Sequence, residues 1–264
     1  MPSMIFATPK DAFQARFARI FPARRCLGCG ATFTLVPMRT QSKALLVAVL
    51  GAALLLAASA SAAMVGIYRN GMDTTAQRSQ LIKLTGKDCV RGGSAEALRI
   101  TLGKATPECS YRTPVVGRNL EIGATARLSS MTPKKARHGA YLGVVARAGA
   151  GARYAMLVFP LQRKVQLVKI VAGGAEYLAV DRGEKLVNGV DKANALRLQV
   201  VETGEPGKVQ VNAFLGGSKV AEALDDSGGE LSGQSSGVLL GAVKNGNGVV
   251  GSVDDVIVRV PVRF

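Results

Sequence analysis

The sequence predicts an all-β fold: a two-sheet jelly-roll sandwich of about eleven strands over residues 97–264, preceded by one N-terminal hydrophobic helix. Three observations predict it. Beyond residue 97, apolar side chains recur with period two, the spacing that places alternate residues on one face of a strand. Turn pairs interrupt these runs, among them Gly173-Gly174, Asn188-Gly189, Pro206-Gly207, Gly216-Gly217, Gly228-Gly229 and Asn245-Gly246. Upstream, residues 44–68 carry no charge at all.

That uncharged segment divides the chain. As a helix it would rise roughly 37 Å, and a bilayer's hydrocarbon core needs about 30 Å. The tail before it, residues 1–43, holds seven basic residues and one acid, Asp11. A basic flank stays on the cytoplasmic side, so residues 44–68 read as a single-pass anchor with the C-terminal domain outside. A second reading has the same consequence. Met38-Arg-Thr-Gln-Ser-Lys43 resembles a signal-peptide n-region if translation starts at Met38. Ala44–Ala57 then forms the apolar region, and Ala60-Ser61-Ala62 is a small-x-small cleavage site. Both readings export the domain, either held at the cell membrane or secreted.

The cysteines follow this division. Cys26 and Cys29 form one C-x-x-C in the basic tail, half of a zinc ribbon by spacing. No second pair lies nearby and the only histidine is His138, so a tetrahedral site is two ligands short and the pair reads as free thiols rather than a metal site. Cys89 and Cys109 fall in the exported part, where disulfides persist, and they are expected to pair with each other. No cofactor motif occurs.

The formal net charge is +16, of which the tail contributes +6 and the domain +10. A basic balance favours polyanions, whether nucleic acid, anionic lipid or acidic wall polymers, and a solvated basic surface gives the same count. An exported domain seldom meets nucleic acid, so none is expected as a partner.

Residues 69–96 read as a lead-in, with a short helix or irregular stretch over Thr74–Leu84. The strands then follow in order. Ala97–Leu102 and Leu120–Leu128 alternate; Tyr141–Arg147 and Tyr154–Phe159 are apolar runs suited to buried strands. Val165–Ile170, Glu176–Val180, Ala195–Val201 and Lys208–Leu215 come next. Lys219–Leu224, Gly237–Val243 and Val253–Val260 close the set.

The order of these strands resembles the concanavalin A-like lectin/glucanase fold, including laminin-G-like domains. The resemblance rests on Lys164-Val-Gln-Leu-Val-Lys169, Asn194-Ala-Leu-Arg-Leu198, the Phe214–Ala221 hairpin, Ser236–Gly241 and Val253–Val258. It covers residues 97–261. That scaffold hosts binders, hydrolases and structural modules, so it implies no single function.

Enzymatic chemistry has few parts here. The glucanases of this fold carry Glu-x-Asp-x-x-Glu on one strand, which this chain lacks. Asp254 and Asp255 are adjacent, and adjacent strand residues point to opposite faces. His138 has no second histidine or neighbouring nucleophile to complete a triad. Sugar binding asks for aromatic platforms and polar forks. Tyr154 and Tyr177 are the candidate platforms, and each is also a candidate core residue. Arg163, Lys164, Gln166 and Lys169 are the candidate contacts for an anionic glycan or a cell-envelope polymer. The expectation is an exported, envelope-associated, lectin-like binding module without enzymatic activity. The alternatives are a structural or adhesion protein and a divergent glycoside hydrolase. A sheet face lined by Arg, Lys and Tyr favours the binder, and one filled by apolar side chains favours the structural protein.

Overall fold

A computed structural model describes residues 63–262, except 95, 105, 150, 173, 182, 228–230 and 245. The tail, the Cys26/Cys29 pair and residues 44–62 lie outside the described residues.

The described residues form two antiparallel sheets of fifteen strands with two short helices. The strands before the predicted start are β1 (Met64–Asn70), β2 (Ile82–Thr85) and β3 (Val90–Ser94). Next come β4 (Ala97–Thr101), β5 (Glu108–Val116) and β6 (Leu120–Leu128). After them run β7 (Ala140–Gly149), β8 (Ala152–Phe159), β9 (Lys164–Val171) and β10 (Gly174–Asp181). The last five are β11 (Asn194–Glu202), β12 (Val209–Leu215), β13 (Ser218–Asp225), β14 (Ser235–Ala242) and β15 (Val250–Pro261). Helix α1 is Thr75–Ser79 and helix α2 is Lys134–Arg137.

The eight-stranded sheet runs β13-β12-β11-β6-β15-β4-β3. Its eighth strand, β1, joins the second half of β15, while β4 joins the first half. The seven-stranded sheet runs β10-β9-β8-β7-β14-β5-β2. Alternation sets which side faces in. On β11, Leu196, Leu198 and Val200 are buried; on β12, Val209, Val211, Ala213 and Leu215 are buried. They meet Val144, Met156, Val158 and Leu240 of the other sheet in one core. The outer face of the eight-stranded sheet is polar. There Arg197 stacks on Phe214 at 3.8 Å, Asn212 donates to Gln199, and Glu121 sits between Arg197 and Arg259.

The seven-stranded sheet breaks that rule. Central strands β7, β8 and β14 are buried on both faces. Val145, Ala155, Leu157, Phe159, Val168 and Leu239 form a second apolar cluster on the outer side. Glycines make room for it. A Cβ on Gly143 would lie 2.9 Å from Leu239 and 3.1 Å from Leu157, and one on Gly241 would strike the Tyr141 ring. Large side chains therefore fold over the small ones and close the face.

Three expectations are corrected. The hydrophobic helix cannot run to Tyr68, because β1 begins at Met64 and hydrogen-bonds along β15. Residues 69–96 are not a lead-in: they complete β1 and supply α1, β2 and β3, so both sheets include strands from before residue 97. The strand count is accordingly higher than about eleven. The physical reason is edge position. β2 is four residues long and exposed throughout, so burial leaves no period in its sequence. The Thr74–Leu84 helix shrinks to α1, closed by a capping box: Thr74 Oγ1 accepts from the Gln77 N–H and Gln77 Oε1 accepts from the Thr74 N–H.

The Cys89–Cys109 disulfide is formed, with Cα atoms 6.0 Å apart. It ties the segment entering β3 to β5 and thereby cross-links the two sheets. Among the described residues no helix is long and apolar enough to cross a membrane.

Candidate functional site

The residues singled out by sequence do not converge. Lys164 and Gln166 lie on the outer side of β9, while Lys169 has the opposite parity and points between the sheets. Lys169 is 2% exposed, and its Nζ lies 3.0 Å from Asp225 Oδ2 and 2.6 Å from Ser227 Oγ. Tyr154 is fully buried beside it and donates to Asp225 Oδ2 at 2.5 Å. These two residues build an internal network and offer no surface to a ligand. Burial, with the adjoining Asp225 carboxylate, pushes the Tyr154 hydroxyl well above its ordinary value.

Arg163 sits in the β8–β9 turn at φ 47° and donates to the Glu184 carbonyl. Lys164 lies over the Phe159 ring at 4.6 Å. Tyr177 is 63% exposed on edge strand β10, across from Val168 of β9. The intervening face is the apolar cluster described above, so no Arg, Lys and Tyr-lined platform forms there. On that sheet Glu108 accepts from Tyr141 Oη and from Arg153, and burial raises its carboxyl while Arg153 opposes the rise. Asp225 is engaged as above. Asp255, at φ 47° inside β15, pairs with Arg69, and the Asp254 carboxylate accepts the Asp255 N–H. Among the described residues no three metal-ligating side chains gather.

The cleft is at one end of the sandwich, and sequence reading missed its key residue. Strand β7 carries a bulge, where its register against β8 slips between Ala146 and Gly149. Arg147 occupies that bulge at φ 50°, a region that non-glycine residues seldom adopt. Bulges re-aim side chains, and this one turns Arg147 across to the eight-stranded sheet. Its side chain is fully buried. Nε donates to the Arg118 carbonyl at 2.9 Å, and Nη2 donates to Asn119 Oδ1 at 3.3 Å and Glu202 Oε1 at 3.1 Å. Gly233 packs on the bulge so closely that a Cβ would come 2.4 Å from the Arg147 carbonyl.

Above Arg147 two adjoining depressions share Arg118 and Glu202, with volumes of about 310 and 450 Å³. The first is walled by the β11–β12 turn, where Gly204 and Gly207 take positive φ. The second is walled by Asn119, Gln234 and the end of β15. Arg118 is half exposed, and its Nη2 lies 3.3 Å from Glu202 Oε1. Asn119 Oδ1 also accepts the Glu202 N–H at 2.9 Å, which fixes the turn against the strand end. The result is an open polar cleft whose floor is pinned and whose rim presents a guanidinium, a carboxylate and two amides. Such a set matches a ligand rich in hydroxyl or carboxylate oxygens. The clue in the sequence was an arginine closing the apolar run from Tyr141 to Arg147.

Together the two sheets define an antiparallel β-sandwich. Among solved structures, the chain is similar to a Bacillus subtilis protein of unknown function with a galectin-like fold, at 12% identity and TM-score 0.52, over 76% of this chain and 98% of that one. It is similar to the carbohydrate recognition domain of Emp46p, at 11% identity and TM-score 0.51, over 73% of this chain and 94% of that one. It is also similar to the alginate lyase Aly36B, at 10% identity and TM-score 0.50, over 77% of this chain and 99% of that one. At these identities the likeness is one of fold. No family model matches the chain, and no curated protein matches it in sequence.

Proposed function

We propose that this protein is an exported, lectin-like module that binds a glycan in the cleft around Arg118, Asn119, Glu202 and Gln234. The observation that carries the reading is Arg147: a buried guanidinium, held at a strained backbone position by three acceptors, that fixes the floor of an open polar cleft. The similarity in fold to a carbohydrate recognition domain supports it. The rim favours binding over hydrolysis, because both carboxylates that line it are paired with cations, Glu202 with Arg118 and Arg147 and Glu205 with Lys208.

Glycan-array screening of the full chain tests this, with Arg118→Ala alongside. Arg118 is half exposed, so its loss leaves folding intact and weakens glycan retention about tenfold to a hundredfold. An array without hits, or equal retention by the variant, counts against the reading.

Export is part of the proposal. It rests on the uncharged run ending near Tyr68 and on a disulfide that needs an oxidising compartment. β1 begins two residues after Ala62, and the Val262 N–H donates to the Ala63 carbonyl. Cleavage after Ala62 therefore leaves the sandwich whole. N-terminal sequencing of the protein from cells is expected to begin at Ala63, and an intact segment over residues 44–62 would instead show a retained anchor.

A second reading has its own observation. The apolar filling of the outer seven-stranded face supports a structural or adhesion role, in which that sheet serves as a rigid wall and the cleft holds no sugar.

A further inference from the structure

Four loops meet at the end of the sandwich opposite the cleft. They are residues 129–139 before β7, 160–163 before β9, 183–193 before β11, and 243–244 with 246–249 before β15. Hydrogen bonds hold them together. Gln162 Nε2 donates to the His138 carbonyl at 2.8 Å, and Arg163 Nη1 donates to the Glu184 carbonyl at 3.0 Å. The Val243 N–H donates to the Gly139 carbonyl at 3.0 Å, and the Ser130 N–H donates to Asp191 Oδ1 at 2.8 Å.

Each loop lifts one large apolar side chain into water: Met131 is 62% exposed, Leu161 45%, Leu186 41% and Val243 64%. Each of these tips has exposed cations close by in sequence: Lys134 and Lys135, Arg163, Lys185, and Lys244. Acids are few, since the described residues of these loops include Glu184 and Asp191 alone. Asp191 is already committed to Ser130, whose hydrogen bonds hold its carboxyl below the usual range. A merely soluble surface explains the cations and leaves the apolar tips without a role. A charged polysaccharide also offers them no apolar phase to enter. An anionic bilayer satisfies both, taking apolar tips into the headgroup boundary while lipid phosphates meet the cations.

We propose that this end of the sandwich docks on an anionic lipid surface through Met131, Leu161, Leu186 and Val243, flanked by their lysines and Arg163. The cleft then faces away from the membrane. This docking is independent of what the cleft binds.

The test places an environment-sensitive fluorophore at Val243→Cys in the full chain, with Cys26→Ser and Cys29→Ser removing the other thiols. A matched probe at Val116→Cys, on the cleft end, is the control. Vesicles containing phosphatidylglycerol are expected to shift the Val243 probe to the blue and expose it to lipid-borne quenchers. The Val116 probe and vesicles of phosphatidylcholine alone give little response. Reversing three charges, Lys134→Glu, Lys135→Glu and Lys244→Glu, raises the lipid concentration for half-maximal response on the order of a hundredfold. Equal responses from the two probes overturn the proposal, because an attached apolar segment alone would move both. So does a response that survives charge reversal. A larger shift with soluble polygalacturonate than with vesicles overturns it too and assigns the surface to a polysaccharide.

Discussion

Asp225→Ala is expected to destabilise the domain by about 3–5 kcal/mol. The substitution withdraws the carboxylate that holds two buried groups, Lys169 Nζ at 3.0 Å and Tyr154 Oη at 2.5 Å. Both are nearly inaccessible to water, so solvent does not replace what is lost. For a domain of this size the midpoint of thermal unfolding falls by roughly 6–20 °C. Tyr154→Phe removes one hydrogen bond and costs about 1 kcal/mol. The double variant Lys169→Met, Asp225→Leu recovers much of the loss, because apolar replacement of a buried pair is close to neutral. The pH dependence has a definite sign. Burial alone would raise the Asp225 carboxyl, but hydrogen bonds from Tyr154, Lys169 and Ser227 outweigh it and hold the folded value below the ordinary one. The group therefore contributes stability above its unfolded pKa and loses it as the pH falls through the folded value. Thermal scans across that acid range measure this, and Asp225→Ala is expected to flatten the dependence. A loss under 1 kcal/mol for Asp225→Ala would contradict the account.

Opening the Cys89–Cys109 disulfide is the second large effect. Its sequence separation is 20, and a loop of that size restricts the unfolded chain by about 3 kcal/mol. The crosslink spans the two sheets and Cys109 is fully buried, so paired serines also place a hydroxyl in the core. Cys89→Ala with Cys109→Ala avoids that hydroxyl and isolates the crosslink. Denaturant titration is expected to show a loss of about 3 kcal/mol, with the slope increased as the unfolded chain expands. An unchanged midpoint after reduction would show that the sheets hold their register without the bond.

Much of the sandwich was legible because burial writes a period into sequence. β11 and β12 each show an inner apolar row and an outer polar one, and both lie inside the eight-stranded sheet. β1 to β3 were not legible. β1 continues an uncharged run, and β2 and β3 are edge strands with little buried side to mark them. The disulfide followed from the expectation that Cys89 and Cys109 lie together on the exported side. The candidate site was the least legible part. Parity along Lys164–Lys169 separates Lys169 from Lys164 and Gln166, so those residues could not form one contact row. Tyr154 followed its strand into the core. Arg147 was hidden because its direction depends on a bulge, and a bulge reverses the parity that sequence periodicity assumes. Arg118, Asn119 and Glu202 are far apart in sequence from Gln234, and the turns and strand ends bring them together only in the folded chain.

The central claim is that the end cleft around Arg147 is the glycan site. Chemical-shift mapping of the full chain with a retained glycan tests it most directly. The account predicts perturbations gathered at Gly117–Asn119, at residues 202–207 and at Gln234. Perturbations gathered instead around Tyr141, Leu157 and Lys164, on the outer seven-stranded face, would contradict it.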